Sequence, residues 1–248
     1  MTWFALFIPG LLLPAFLALD LLYRARPVRR VPGWRARALV VALASFAISL
    51  GVGLAWGSAF RGHALFDGAA LGLVGGAACG VLVYELFHYT YHRCAHEFAW
   101  LWRVHQMHHS AESVDAWGAY YLHPLDVLAF TSGSSLVLYP LLGLSPASGA
   151  MATSFITFAA IFQHANLKTP RWAGFVVQRP ESHAIHHASG VHKLNYANLP
   201  LWDMLFGTFS NPRSDAPASE PGFYFGASRR WQECLLLRDV TQPTAAKQ

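Results

Sequence analysis

The sequence predicts an all-α integral membrane protein: a helical bundle with four to five membrane-embedded helices and a histidine-rich helical cap on the cytosolic side. Three observations lead to this fold class. The 248 residues are 54% hydrophobic and only 12% charged, with a mean hydropathy of +0.31, which is too apolar for an ordinary soluble domain. The apolar residues fall into runs of membrane-spanning length. The 13 histidines gather in repeated short spacings that follow the third of these runs.

Three apolar runs are long enough to cross about 30 Å of hydrocarbon, at residues 2–22, 38–60 and 65–87. Two further runs, at 125–143 and 147–165, are shorter or more polar, and the sequence Gly-Leu-Ser-Pro separates them. We expect these two to form a tight hairpin in the membrane. The first run lacks a basic start and an obvious small-residue cleavage site, which favours an anchor over a signal peptide.

An arginine-rich loop gives the orientation. Residues 24–37 contain six arginines and no acidic residue, and such loops are typically cytoplasmic. Counting spans from this loop places the histidines from His88 to His192 on the cytoplasmic side. The frequent Arg, Ala and Gly favour a bacterial inner (cell) membrane. Since arginine beside a membrane usually signals topology, we expect no nucleic-acid partner.

The third run carries the first histidine pair. Its helical pattern continues from Ala64 to His96, which corresponds to about 50 Å at 1.5 Å per residue, so the last turns should project from the membrane. Glycines recur every four residues in this run and offer a smooth face for close packing of another helix. His92 and His96 lie four residues apart on the projecting end and therefore share one helix face.

Two clusters with the pattern H-x-x-H-H follow this pair. Their histidines are His105, His108 and His109 in the first cluster and His183, His186 and His187 in the second. The second cluster follows Pro180, a residue that favours the first turn of a helix. Crowded imidazoles repel one another when protonated, and a metal ion removes that penalty. Eight histidines exceed the ligands that one ion takes, so the pattern predicts two ions; imidazole suits iron, zinc, copper or nickel.

Several further residues are candidates for the same site. His164 ends the fifth apolar run at the level of His92 and is a ninth candidate ligand, although a polar cap of a membrane segment would also explain it. Residues near the clusters could orient ligand rings through their second nitrogen. These candidates are His123, Glu85, Asp115, Asp126, Glu181 and Asn195. Each acidic residue among them is also compatible with a plain surface charge.

The motifs around these residues resemble those of the fatty acid hydroxylase superfamily, which includes the sterol desaturases. The matching stretches are "YHRCAH", "LWRVHQMHHS", "FQHAN", "SHAIHH" and "NYANLPLWDMLFGTF". They cover about residues 80–210, and we expect one membrane-embedded domain at 1–210 and a cytosolic tail at 211–248. The family's ligand motif falls on His92, His96, His105, His108, His109, His183, His186 and His187, with His164 also matching. Tyr121 and Ala197 depart from the family's usual arginine and glycine, so no head-group specificity is carried over.

The resemblance implies a helical membrane enzyme whose histidines hold two iron ions (a di-iron site) facing the cytosol. Such an enzyme uses O2 as co-substrate to hydroxylate or desaturate a C–H bond of a fatty acyl or sterol-like lipid taken from the bilayer. The sequence has neither a dinucleotide-binding fingerprint nor a C-x-x-C-H haem motif. Electrons should therefore come from a separate donor, a ferredoxin or a cytochrome b5-like protein with its reductase.

Three alternatives stay open. A desaturase would use the same site, but it must hold the substrate away from hydroxyl rebound, a finer positioning demand that favours hydroxylation. A membrane zinc hydrolase would need a pattern such as H-E-x-x-H, and Trp100 stands where the sequence after His96 would require histidine. A metal carrier should place ionisable groups near the bilayer midplane, whereas here they gather on one side.

Overall fold

The regular structure of the chain is helical. The computed structural model describes residues 2–29, 31–191, 193–213 and 220–244, and side chains from residue 10 onward. Within these ranges no strand forms beyond one isolated bridge between Ala188 and Pro221. The helices are α1 Thr2–Leu22, α2 Trp34–Ala59, α3 Gly72–Glu97, α4 Ala99–His109, α5 Pro124–Leu136, α6 Pro146–Phe162, α7 Pro180–His186, α8 Pro200–Leu205 and α9 Trp231–Leu235. The all-α prediction is confirmed for the part of the chain described.

Among the described residues, two helical stretches are long and apolar enough to cross a membrane: α2 and Gly68–Glu97, which contains α3. Gly10–Leu22 and Pro146–Phe162 are apolar but shorter. The helices thus fit a membrane-associated protein, while four to five embedded helices and a cytosolic cap stay predictions. His192 lies outside the described residues.

The fourth and fifth apolar runs form two helices that have different partners. The turn between them contains Gly143 in the left-handed region (φ 63), and Ser145 caps α6 by accepting a hydrogen bond from the Ser148 N–H. A short π-helix, Val137–Leu141, extends the end of α5. Helix α5 packs chiefly against α2, whereas α6 packs against α3 and α1. The tight hairpin expected from the sequence is therefore an open one.

Small residues allow α3 and α6 to approach closely. A Cβ added at Gly80 would lie 2.7 Å from the Leu144 side chain, and one at Gly76 would lie 3.0 Å from the Ser148 hydroxyl. Both positions belong to the glycine repeat, whose packing role is as expected. The repeat member Gly72 differs, because its φ of 68 ends the preceding turn of 3-10 helix at Gly68–Leu71 and starts α3.

Helix α3 begins later than the sequence pattern indicates. The residues before it run beside the end of the π-helix, where the N–H groups of Leu65 and Phe66 donate to the carbonyls of Pro140 and Leu141. Because of these hydrogen bonds, Leu65 and Phe66 do not join α3, although the sequence predicts a helix that starts at Ala64. From Gly72 to His92 the helix rises about 30 Å, which is close to the thickness of the hydrocarbon core.

The arginine loop ties α1 to the histidine-bearing elements. The Arg26 guanidinium donates to the carbonyl of Pro180 (2.9 Å), where α7 begins, and to the carbonyl of Ala165 (3.1 Å), just beyond α6. Asp20, which is buried near the end of α1, accepts hydrogen bonds from the N–H groups of Ala116 and Asn166. Arg26 thus stabilises the fold, in addition to any role of this loop in setting the membrane orientation.

The chain after α8 packs against the back of α4. Cys234 and Val240 are fully buried in a cluster that contains Met107 of α4 together with Trp34 and Tyr121. We call residues 221–240 the C-terminal strap. Its packing means that the histidine-bearing face of α4 is supported from behind by residues of the expected tail.

Replacing Gln106 by Ala should destabilise the protein. The buried Gln106 amide donates to the Arg238 carbonyl (2.8 Å) and accepts from the Val240 N–H (3.0 Å), so its loss leaves strap groups without partners. We expect the free energy of unfolding in detergent micelles to fall by about 1–3 kcal/mol. The control is Gln232→Ala, at an exposed position of α9. Equal stability of the two variants would contradict a fastening role for Gln106.

Candidate metal centre

Nine histidines from four parts of the fold converge into two groups. In each group, one ring nitrogen of every histidine lies within 4.8 Å of those of the other members. The five-histidine group contains His92, His96, His105, His109 and His186. The four-histidine group contains His108, His164, His183 and His187. These are the nine residues that the sequence singles out as candidate ligands.

Helical geometry explains how the residues divide. In α4, His105 and His109 are four residues apart and share one face, while His108 points to the other group. In the second cluster the assignment is the opposite. His183 and His187 belong to the four-histidine group, and His186 belongs to the five-histidine group. Each H-x-x-H-H cluster therefore contributes to both groups, two rings to one and one ring to the other.

Hydrogen bonds fix the rings of the five-histidine group. The Nδ1 atoms of His92 and His186 donate to the carbonyls of Tyr196 (2.7 Å) and Leu194 (2.8 Å). The Nδ1 of His105 donates to the Asp126 carboxylate (3.1 Å). The proton on Nδ1 leaves a lone pair on Nε2. The Nε2 atoms of His92 and His105 are buried and have no hydrogen-bond partner, which is the condition expected of metal ligands rather than of structural side chains.

The four-histidine group brings Nε2 atoms very close together. The His164 Nε2 lies 3.0 Å from the Nε2 of both His108 and His183, and the Nε2 atoms of His183 and His187 are 3.1 Å apart. The Nδ1 of His164 donates to the Ala160 carbonyl (2.8 Å), so the His164 Nε2 has no proton to offer. With metal–nitrogen bonds of about 2.1 Å, two ligands at right angles lie about 3.0 Å apart. The spacing therefore fits a shared metal ion.

Burial lowers the pKa of several of these imidazoles and so favours their neutral form. It lowers the pKa of His164 to about 4. Burial, reinforced by the neighbouring histidines, holds the pKa values of His108, His109, His183 and His187 well below the ordinary value. Neutral imidazole is the form that binds a metal ion, so the rings are ready to act as ligands at neutral pH.

Asp126 lies beside the metal groups, as a ring-orienting residue should. Besides accepting from His105, its carboxylate accepts a hydrogen bond from the Tyr91 hydroxyl (2.7 Å). His123 instead caps α5, where its Nδ1 accepts from the Leu125 N–H (3.1 Å). No sequence pattern points to Tyr91 as a partner of Asp126.

The remaining orienting candidates mainly hold the scaffold. Asp115 accepts from the Trp34 indole N–H (3.2 Å), and Glu181 accepts from the Thr169 N–H (2.7 Å). Glu85 binds the segment between α7 and α8 by accepting from the Asn198 N–H. Asn195 lies in that segment and fastens it to its surroundings, because its amide donates to the Ser182 carbonyl and accepts from the Ser210 N–H. That segment supplies two carbonyls that orient histidines, and no side-chain pattern could have revealed main-chain acceptors.

The five-histidine group is reached through a cleft on its outer side. His96 is its one partly exposed member, and it lines a cleft of about 350 Å³ together with Glu97, Trp102 and Lys193. A small molecule can therefore approach these histidines without disturbing the helices.

Comparison with known proteins identifies a family. The sequence model described as fatty acid hydroxylase matches residues 77–208. Ornithine lipid hydroxylase OlsE of Rhizobium tropici is 31% identical over 137 residues, covering 54% of this chain and 41% of that protein. Sphinganine C4-monooxygenase 1 of Arabidopsis thaliana is 28% identical over 148 residues, covering 58% and 56%. Alkylglycerol monooxygenase of Danio rerio is 32% identical over 137 residues, covering 53% and 29%.

The matches span between about a third and just over half of these relatives' own lengths. No solved structure matches the chain.

Removing one histidine from either group should remove one metal ion. His186→Ala and His108→Ala each delete a ligand from a different group, and we expect each to lower the bound iron by about one ion per chain while helix content is kept. Elemental analysis and circular dichroism of the purified protein measure the two quantities. The control is His63→Ala, at an exposed position outside both groups. Full iron content in either group variant would contradict the two-ion assignment.

Proposed function

The chain belongs to the fatty acid hydroxylase family, and on that premise we propose that it is a membrane-bound non-haem di-iron oxygenase. It hydroxylates a C–H bond of a fatty acyl or sterol-like lipid with O2 and electrons from an external donor. The observation that carries this proposal is the convergence of two groups of imidazoles, eight of them buried, at the end of a membrane-length helix.

The donor set favours a redox metal. Both groups offer imidazole nitrogen, which suits iron, copper, nickel and zinc, and zinc has no redox chemistry. When bound, a pair of iron ions supplies the activation of O2 that attack on an unactivated C–H bond requires. We propose that the nine histidines hold these ions, one in each group.

The residues of the chain hold and shield the reacting centre. Main-chain carbonyls orient His92, His186 and His164, and Asp126 orients His105. Burial of the other rings excludes bulk water, and the cleft at His96 leaves one approach from outside. Rigid positioning of this kind favours reaction at one carbon of a bound substrate over others.

A lipid substrate is supported by the relatives and by the depth of the site. The names of the relatives specify an ornithine lipid, sphinganine and an alkylglycerol as their substrates. The 30 Å rise of α3 from Gly72 to His92 brings its ligands to about the edge of the hydrocarbon core. A lipid can therefore present a carbon near its head group to the metals without crossing water.

The remaining assignments extend this proposal. Residues 1–210 would form the membrane-embedded enzyme, with residues 211–248 as a cytosolic tail whose strap supports α4. The arginines at 24–37 support a cytoplasmic orientation of the histidines in a bacterial inner membrane. A ferredoxin or a cytochrome b5-like carrier with its reductase would supply the electrons.

Labelled oxygen tests the reaction. With iron, a chemical or protein reductant and ¹⁸O2, the purified enzyme should place one labelled atom in a long-chain or polycyclic lipid, measured by mass spectrometry of a membrane lipid extract. His108→Ala should give no labelled lipid, since it lacks a ligand. Label found only in water beside a new alkene would assign desaturation. Turnover that continues with zinc and without O2 would assign hydrolysis and overturn the proposal.

Cysteine labelling tests the orientation. In a background without native cysteines, Ser189→Cys should react with a membrane-impermeant reagent only from the cytoplasmic face, and His63→Cys only from the opposite face. Both positions are exposed. His63 precedes the start of the span that contains α3, whereas Ser189 follows His187, whose ring stacks on His109 in the histidine site at the other end of that span. Reaction of both from the same face would contradict the span order.

A further inference from the structure

A short loop presents main-chain carbonyls to two members of the five-histidine group. We call residues 194–199, between α7 and α8, the carbonyl loop. The Leu194 carbonyl accepts from His186 Nδ1 (2.8 Å), and the Tyr196 carbonyl accepts from His92 Nδ1 (2.7 Å). A carbonyl can only accept, so each ring must carry its proton on Nδ1 and offer the lone pair of Nε2 to the group. The loop thus sets both the orientation and the tautomer of two candidate ligands.

The loop does not hold this shape by itself. Leu194 and Asn195 have φ values of 66 and 52, in the left-handed region that residues with a Cβ avoid. Such a conformation persists only where the surrounding structure imposes it. The residues that impose it therefore control where the two carbonyls point.

Asp203, on α8, binds the middle of the loop. Its two carboxylate oxygens accept hydrogen bonds from the N–H groups of Tyr196 (2.8 Å) and Ala197 (2.9 Å). The Thr208 hydroxyl donates to the same carboxylate (2.7 Å) and fixes its rotation. Asp203 is fully buried, where hydrogen bonds to an ionised group are strongest.

Glu85, on α3, binds the end of the loop. Its carboxylate accepts from the main-chain N–H of Asn198 (2.9 Å) and from the Asn198 side-chain amide (2.8 Å). Glu85 is also fully buried. Because His92 lies two turns further along the same helix, this clamp ties the loop to the helix that carries one of its histidines.

We propose that Asp203 and Glu85 are positioning residues for the metal ion of the five-histidine group, acting through the carbonyl loop. They bind the loop, and the loop binds His92 and His186. The inference rests on the proposed function only in assigning one ion to each histidine group.

The four-histidine group provides an internal comparison. His164 donates to the Ala160 carbonyl, four residues earlier in the chain, rather than to the carbonyl loop. The Nε2 atoms of His108 and His183 each lie 3.0 Å from the His164 Nε2, and the His187 Nε2 lies 3.1 Å from that of His183. Loosening the carbonyl loop should therefore lower the affinity for the ion of the five-histidine group and leave the affinity for the other ion unchanged.

Chelator competition on the iron-loaded protein tests this selectivity. Asp203→Asn and Glu85→Gln keep the side-chain shape but turn an amide NH2 towards main-chain N–H groups. We expect either substitution to lower the affinity for one ion about 10- to 100-fold, the range typical when a ligand's supporting hydrogen bond is lost. The affinity for the other ion should not change. His186→Ala, which deletes a ligand of the five-histidine group, identifies which ion is affected.

Two further variants keep the test decisive. Thr208→Val removes the hydrogen bond from the Thr208 hydroxyl to Asp203, together with the one between the Thr208 and Tyr89 hydroxyls (3.2 Å), and leaves both carboxylates in place. It should weaken binding of the same ion by a smaller factor. Glu112→Gln is the matched control, because Glu112 is a buried carboxylate that accepts from the N–H groups of Gly226 and Ser228 in the C-terminal strap. It should leave both affinities unchanged.

The positioning role would be overturned if Asp203→Asn and Glu85→Gln left both ion affinities unchanged. It would also be overturned if Thr208→Val lowered the affinities for both ions equally. Absence of iron from the unsubstituted protein would instead overturn the di-iron proposal itself, and this inference with it.

Discussion

The convergence of nine imidazoles, eight of them buried, is the constraint on which the rest of the structure depends. A buried polar atom without a partner costs about 1–3 kcal/mol, and the inward Nε2 atoms of His92 and His105 are such atoms. For His92, protonation does not relieve this cost, because burial and the neighbouring rings hold its pKa well below the ordinary value. A metal ion satisfies several of these nitrogens at once. The helices, the loops and the strap can be understood as the means of holding the rings at that shared point.

The sequence predicts the members of this site well because their spacing is a helical property. Residues four apart share a face, so the pairing of His105 with His109 and of His183 with His187 follows from the spacing alone. His108 and His186 each belong to the group that does not contain the other histidines of their own cluster. This division depends on how α4 and α7 pack against each other, which is a long-range property of the fold. Spacing within each cluster therefore predicts which of its histidines lie together, and only the fold shows how the nine divide into groups of five and four.

Other features lay beyond the reach of sequence patterns for identifiable reasons. The sequence places the start of α3 too early because the apolar pattern continues through Leu65 and Phe66, although the N–H groups of these residues donate to the carbonyls of Pro140 and Leu141 outside any helix. The carbonyls of Leu194 and Tyr196 are invisible to any motif, since every residue has one. Their role depends on a loop conformation that local propensity disfavours.

Buried carboxylates provide the order that apolar packing cannot. A chain that is 12% charged nevertheless buries Asp20, Glu85, Glu112 and Asp203, and each of these binds main-chain N–H groups of a loop. Burial raises the pKa of Asp203 to about 6, so the ionised form is costly even with its hydrogen bonds. Apolar contacts can collapse a loop but cannot fix its carbonyl directions, because dispersion and hydrophobic forces are not directional. The loop whose carbonyls bind His92 and His186 therefore depends on directional acceptors, and Asp203 and Glu85 are the buried acids that bind its main-chain N–H groups.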